Sequence, residues 1–346
     1  MSQAIVLFPP TADMPTPAHL RCGPSADEPP VSAQPEHVAV REMPSLFRLV
    51  SIKYSQVAPR RFQCGATLFA AGQDVRVAWE CVQPDTRLNP GVLVSVRWLP
   101  RTHNIAGEIC ICRLVLLEIP ESGADLFKTV PQTWVSDGAL LARAAALVGQ
   151  LSPPLRHLFN AMFWQGRRFH RFLCGPASVA GHHSDMGGNF RHAVEVAELC
   201  DRLAESRERI AIDVLLLAAL LHDAGKADEY DFDRRRQVFV MSERGALVGH
   251  RHTVIEWVAA ALATRRILLP EIKRLGLLHC LTAGVGADFL GIRRPATLEA
   301  KILSLADRLS GDSDLFRQNA REQPGFGRYH KHLQGRPFLM EGARVD

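Results

Sequence analysis

Two imidazoles and two carboxylates, far apart in the chain, have the chemistry to hold a divalent metal ion. His192 lies near the start of an apolar-periodic stretch, GNFRHAVEVAELC. His222 and Asp223 close another, IDVLLLAALLHD, and Asp307 lies inside a third, AKILSLADRLSG. Mixed nitrogen and oxygen donors suit Mn²⁺ or Fe²⁺ best, with Mg²⁺ as a further option. Each donor sits on or near the end of a helix that is otherwise apolar, which is how a helical bundle builds a metal site in its interior. Burying an unpaired carboxylate at the end of so apolar a helix costs several kcal/mol, and a metal or a firm salt bridge removes that cost. The plain alternatives are a packed, hydrogen-bonded core histidine at 192 and an Asp307–Arg308 ion pair.

The order H…HD…D resembles the HD superfamily of metal-dependent phosphohydrolases. A wider window adds Pro176-Ala177, His182-His183 and Gly187-Gly188 before His192. That series is similar to the entry of the YhaM-type 3′→5′ exoribonucleases, which place an OB-fold ahead of the HD domain. The resemblance implies metal ligands at His192, His222, Asp223 and Asp307. It gives Asp223 the orienting or deprotonation of a water, and turns Lys226 toward a substrate phosphate. His250 in LVGHRH and His279 in LLHC stand where those relatives carry histidines for a second metal or a phosphate. His182 and His183 become either substrate contacts or loop histidines. The chain departs from the pattern at Ala283-Gly284-Val285, where relatives carry Ser-His-His. A one-metal site, a different substrate or a silent domain are the readings this leaves.

The elements that must position these groups are legible in outline. Residues 45–120 hold five runs rich in Val, Ile and aromatics, often alternating with period two and divided by turn residues. They predict a small five-stranded OB-like barrel. Its groove candidates are Arg60, Arg61, Phe62, Arg76, Trp79, Arg97, Trp98 and Arg101, with Trp98 or Trp79 as a base-stacking ring. The competing reading of each aromatic is core, the place assigned to Phe69. Residues 121–175 read as a helical linker, with Pro153-Pro154 opening a new helix. Arg167, Arg168, His170 and Arg171 are either a grip on a phosphodiester backbone or a solvated helix face. Residues 176–316 read as an all-α HD domain. Residues 1–44 read as a Pro-rich disordered tail, and 317–346 as a basic, loosely packed tail. The fold class is thus α+β, multidomain.

The chain is long enough, at 346 residues, for two cores. A formal charge of +5 permits an anionic partner without requiring one. Its eight cysteines include no CxxC pair, which points to reduced thiols in the cytoplasm. No basic region followed by an apolar core opens the chain, and no apolar run has membrane-spanning length, so no membrane association is expected. These readings converge on a 3′→5′ exonuclease acting on single-stranded nucleic acid, RNA favoured over DNA, that releases 5′-monophosphates. A silent HD domain in a strand-binding or scaffold protein, and a nucleotide phosphohydrolase, are the alternatives. The relatives suggest a homo-oligomer.

Overall fold

Residues 45–120 alternate because they close into a barrel. The computed structural model describes residues 44–103, 107–179, 183–285 and 291–342; the Pro-rich segment 1–43, His182 and the side chain of Arg101 lie outside the described residues. The barrel strands are β1 (Phe47–Ala58), β2 (Arg61–Ala70), β3 (Gln73–Cys81), β4 (Leu93–His103) and β5 (Ile109–Leu116). They close in the order β1-β2-β3-β5-β4, antiparallel except for β3 beside β5. This is the expected OB-like barrel. Between β2 and β3, Ala71 and Gly72 both take positive φ (49° and 83°), the two-residue turn that matches strand twist. Cys64, Ala66, Leu68 and Ala70 of β2 alternate inward to meet Phe47, Leu49, Val77, Val94 and Ile111. Phe69 and Trp79 are buried. Trp98 packs against the same core, edge-on to Phe47 with ring centres 6.0 Å apart.

Helices follow: α1 (Gly138–Gly149), α2 (Pro153–Phe163), α3 (Gly166–Cys174), α4 (Gly188–Glu205) and α5 (Ile212–Leu221). Then come α6 (Lys226–Glu229), α7 (Glu243–Leu247), α8 (Gly249–Arg265), α9 (Glu271–Thr282) and α10 (Leu298–Asn319). Their starts are written in the sequence. Asp137 accepts from Leu140 N–H at 2.9 Å, Pro153 opens α2, and Thr297 accepts from Ala300 N–H at 3.2 Å. α5 is apolar on every side and buried from Val214 to Leu221, so it becomes the central helix, packed on α4, α9 and α10.

Two features depart from the expected all-helical domain and loose tail. A hairpin of β6 (Tyr230–Asp233) and β7 (Val238–Met241) interrupts the helices. Near the C-terminus β8 (Gly325–Phe326) pairs with β9 (Phe338–Leu339). Among the described residues, no helix is long and apolar enough to cross a membrane.

Barrel and helices belong to one unit beginning at Leu46. Their joint is built on Arg48, which is fully buried. Its guanidinium donates to Thr129 O (3.1 Å), Thr129 Oγ1 (2.8 Å) and Gly91 O (2.8 Å), and lies over the rings of Trp134 and Phe169. Burial among neutral oxygens pushes its pKa down to about 9. Beside it, a Cβ on Gly166 would lie 1.9 Å from Gly91 O, so α3 starts where only glycine fits.

Candidate metal centre

α4, α5 and α10 pack pairwise, and each brings a donor to the same point. His192 of α4 is wholly buried. Its Nε2 lies 3.3 Å from His222 Nε2 at the end of α5, and 3.1 Å from Asp307 Oδ1 of α10. His222 Nε2 is 3.6 Å from the same Asp307 oxygen. Asp223 Oδ2 stands 3.6 Å from each imidazole. Bonds of about 2.1 Å to one ion would set neighbouring donors about 3.0–3.4 Å apart, close to these spacings.

The hydrogen bonds behind the rings decide where the lone pairs point. His222 Nδ1 faces Ala219 O at 2.7 Å; a carbonyl only accepts, so Nδ1 carries the proton. Ser310 Oγ donates to Glu195 Oε2 at 3.0 Å. Its single proton spent there, Ser310 accepts from His192 Nδ1–H, also at 3.0 Å. Both Nε2 atoms therefore turn lone pairs toward each other, flanked by two carboxylates. That arrangement is repulsive unless positive charge lies between them. Both carboxylates are held ionised. Burial resists charge on Asp307, yet the two imidazoles beside it, His192 and His222, hold its carboxyl well below the ordinary range. Burial likewise resists charge on Asp223, and Lys226, His222, His192 and His250 overcome it. Burial pushes His192 down, whereas His222 is raised because Asp223 and Asp307 outweigh its burial. Two ionised carboxylates and two aligned lone pairs fit a divalent cation; His192, His222 and Asp307 donors all lie within 4.8 Å of one another.

Asp223 links this cluster to a second one. Its Oδ2 takes the Lys226 ammonium at 2.5 Å, and its Oδ1 faces His250 Nε2 at 3.3 Å. Glu229 fixes His250 from behind, its Oε2 accepting from both His250 N–H and Nδ1–H at 2.7 Å. The start of α8 reaches this point because residue 225 is glycine: a Cβ there would lie 2.1 Å from His250 O.

The remaining predicted residues divide. His183, read as either a substrate contact or a loop histidine, is turned inward and 1% exposed. Its Nε2 is 3.3 Å from Glu195 Oε2, and its backbone N–H donates to Asp314 Oδ2 at 2.7 Å. Its carbonyl explains Gly188, whose Cβ would lie 2.0 Å from it, and Gly187 opens α4 at φ 76°. Arg168 lies over Trp257 at 4.2 Å and donates to Met162 O, so it packs, while Arg167 is exposed. Arg171 holds the hairpin through Tyr230 O and Asp231 Oδ1. His279 is engaged elsewhere, its Nε2 accepting from Ala296 N–H at 2.9 Å in an apolar groove with Val214, Ile272 and Leu275. Glu195, Ser310, Asp314 and Glu229 were not anticipated. Only Ser310 left a trace, one helical turn beyond Asp307 on the same face.

No solved structure matches the chain. Residues 189–312 match the family model of the HD domain, the span that holds His192, His222, Asp223 and Asp307. The match runs from α4 into α10, so the helices that carry the candidate metal centre form a helical HD domain behind the barrel.

Proposed function

We propose that this protein is a metal-dependent phosphodiesterase that trims single-stranded nucleic acid, RNA in preference to DNA, from its 3′ end and releases nucleoside 5′-monophosphates. The observation that carries the reading is the pair of Nε2 lone pairs 3.3 Å apart beside Asp223 and Asp307. The HD domain supports phosphohydrolase chemistry, and the OB-like barrel supports a strand as substrate. His192, His222, Asp223 and Asp307 would hold the ion, Mn²⁺ or Fe²⁺ before Mg²⁺. When bound, such an ion supplies Lewis acidity toward a phosphate oxygen and toward water.

The chain's own groups do the rest. Asp223 Oδ1 orients a water and takes its proton. The water oxygen forms a bond to phosphorus in line with the P–O3′ bond that breaks, and the proton passes finally to O3′. Lys226 and His250 hold the charge that develops on the phosphate oxygens, and Glu229 keeps the His250 ring in place. The apolar shell of α5 closes the back of the site to water. The test is the double substitution His222→Ala with Asp223→Ala, assayed on an end-labelled single strand with added Mn²⁺. Metal-dependent hydrolysis should vanish, and its survival would remove this reading.

A second reading keeps strand binding and drops cleavage. It rests on Ala283-Gly284-Val285 in place of Ser-His-His, and on His279 being engaged by Ala296. Strand binding by the wild type with no hydrolysis at saturating Mn²⁺ separates the two.

A further inference from the structure

The β6–β7 hairpin has no place in the mechanism above, yet it leaves the chain beside the site. Glu229, which fixes His250, immediately precedes β6, and Ser242 after β7 donates its N–H to Glu229 O at 2.9 Å. Arg171 anchors the root through Tyr230 O and neutralises Asp231 at 2.7 Å. Four residues per strand carry the tip about 13 Å outward.

The tip reads Arg234-Arg235-Arg236, all exposed. Its backbone is set in advance: Asp233 Oδ1 accepts from Arg235 N–H (2.9 Å) and Arg236 N–H (3.2 Å), and Gln237 Nε2 donates to Arg234 O (2.7 Å). Arg236 has a loose pairing with Asp233, 3.8 Å away and with the arginine 79% exposed. Behind the tip, Phe232 and Phe239 stand directly across from each other with ring centres 5.0 Å apart. Neither belongs to either hydrophobic core, and Phe232 is 42% exposed. A two-stranded hairpin outside a core is marginal in water, and the Phe232–Phe239 pair steadies it while leaving Phe232 partly open to a further ring. Clustered guanidinium groups on an ordered turn, with rings behind them, match the two needs of single-strand binding: cations for phosphates and flat faces for bases.

We infer that the β6–β7 hairpin is a strand-holding arm, with Arg234, Arg235 and Arg236 on backbone phosphates and Phe232 and Phe239 against bases. The inference rests on the reading of this chain as acting on single strands. It assigns contacts remote from the bond being cut, which a free nucleotide does not reach.

The test is equilibrium binding of a fluorescent 20-nucleotide oligouridylate to the full-length protein across a salt series, wild type against Arg234→Gln/Arg235→Gln/Arg236→Gln. Three lost phosphate contacts should lower the slope of log affinity on log salt by about 2, with at least about a tenfold loss of affinity at low salt. A thermal melt equal to wild type shows that the variant is folded. An unchanged slope overturns the inference, as does a variant that binds the strand normally but loses binding to anionic phosphatidylserine vesicles. Wild-type hydrolysis of bis(p-nitrophenyl) phosphate with Mn²⁺ is measured alongside. Its absence, with an arginine-dependent slope intact, removes the catalytic reading and leaves the arm standing.

Discussion

Ser310→Ala tests the claim that the site is wired from behind. Ser310 is 3% exposed, and its hydroxyl makes two bonds, accepting from His192 Nδ1–H and donating to Glu195, each at 3.0 Å. Removing it frees the imidazole to carry its proton on Nε2, the atom needed for the metal. It also leaves the Glu195 carboxylate without that donor. Losing an outer partner of a ligating histidine costs about 10–100-fold in metal affinity, or about 1.4–2.8 kcal/mol. Stability should fall by about 1–3 kcal/mol from the unsatisfied buried groups. Calorimetric titration of Mn²⁺ into metal-free protein reads the first quantity and urea unfolding the second. Ser310→Thr keeps a hydroxyl and should recover much of the affinity, which a purely steric account would not give. Mn²⁺ affinity of Ser310→Ala within twofold of wild type would refute the tautomer argument.

Two further outcomes follow from the geometry. His170 packs edge-on against Trp134, and burial, with Arg48 and Arg171 nearby, pushes its pKa down from 6.5 to about 4. The unfolded chain binds the proton first, so stability falls as pH drops from 6.5 to 4, by up to about 3 kcal/mol; urea unfolding of His170→Phe should show a flatter pH dependence across that window. Gly188→Ala places a Cβ 2.0 Å from His183 O, so the start of α4 must shift; Mn²⁺ affinity should fall at least about tenfold, and retained affinity would contradict the close packing behind His192.

What the sequence revealed follows periodicity. The barrel was legible because each strand is buried on one face, which forces alternation. The candidate metal donors stood out because imidazole and carboxylate are conspicuous at the ends of apolar helices. The wiring behind them was not: Glu195 looks like any charged residue on an amphipathic helix, and its meeting with Ser310 and His183 needs α4 and α10 side by side. His183 read as a loop residue because nothing local shows that its ring turns inward at φ 47°. The hairpin was missed for another reason. Tyr230, Phe232, Phe239 and Met241 do fall on one face with period two, but strands of four residues are too short to stand out within a span that otherwise reads as all-α.

The most direct test of the central claim combines metal content and strand hydrolysis in one purified sample titrated with Mn²⁺. About one Mn²⁺ per chain should bind, with nucleoside 5′-monophosphates appearing from the 3′ end of a single strand as the site fills. A protein that takes up no Mn²⁺, or one that saturates and releases no nucleotide, would contradict it.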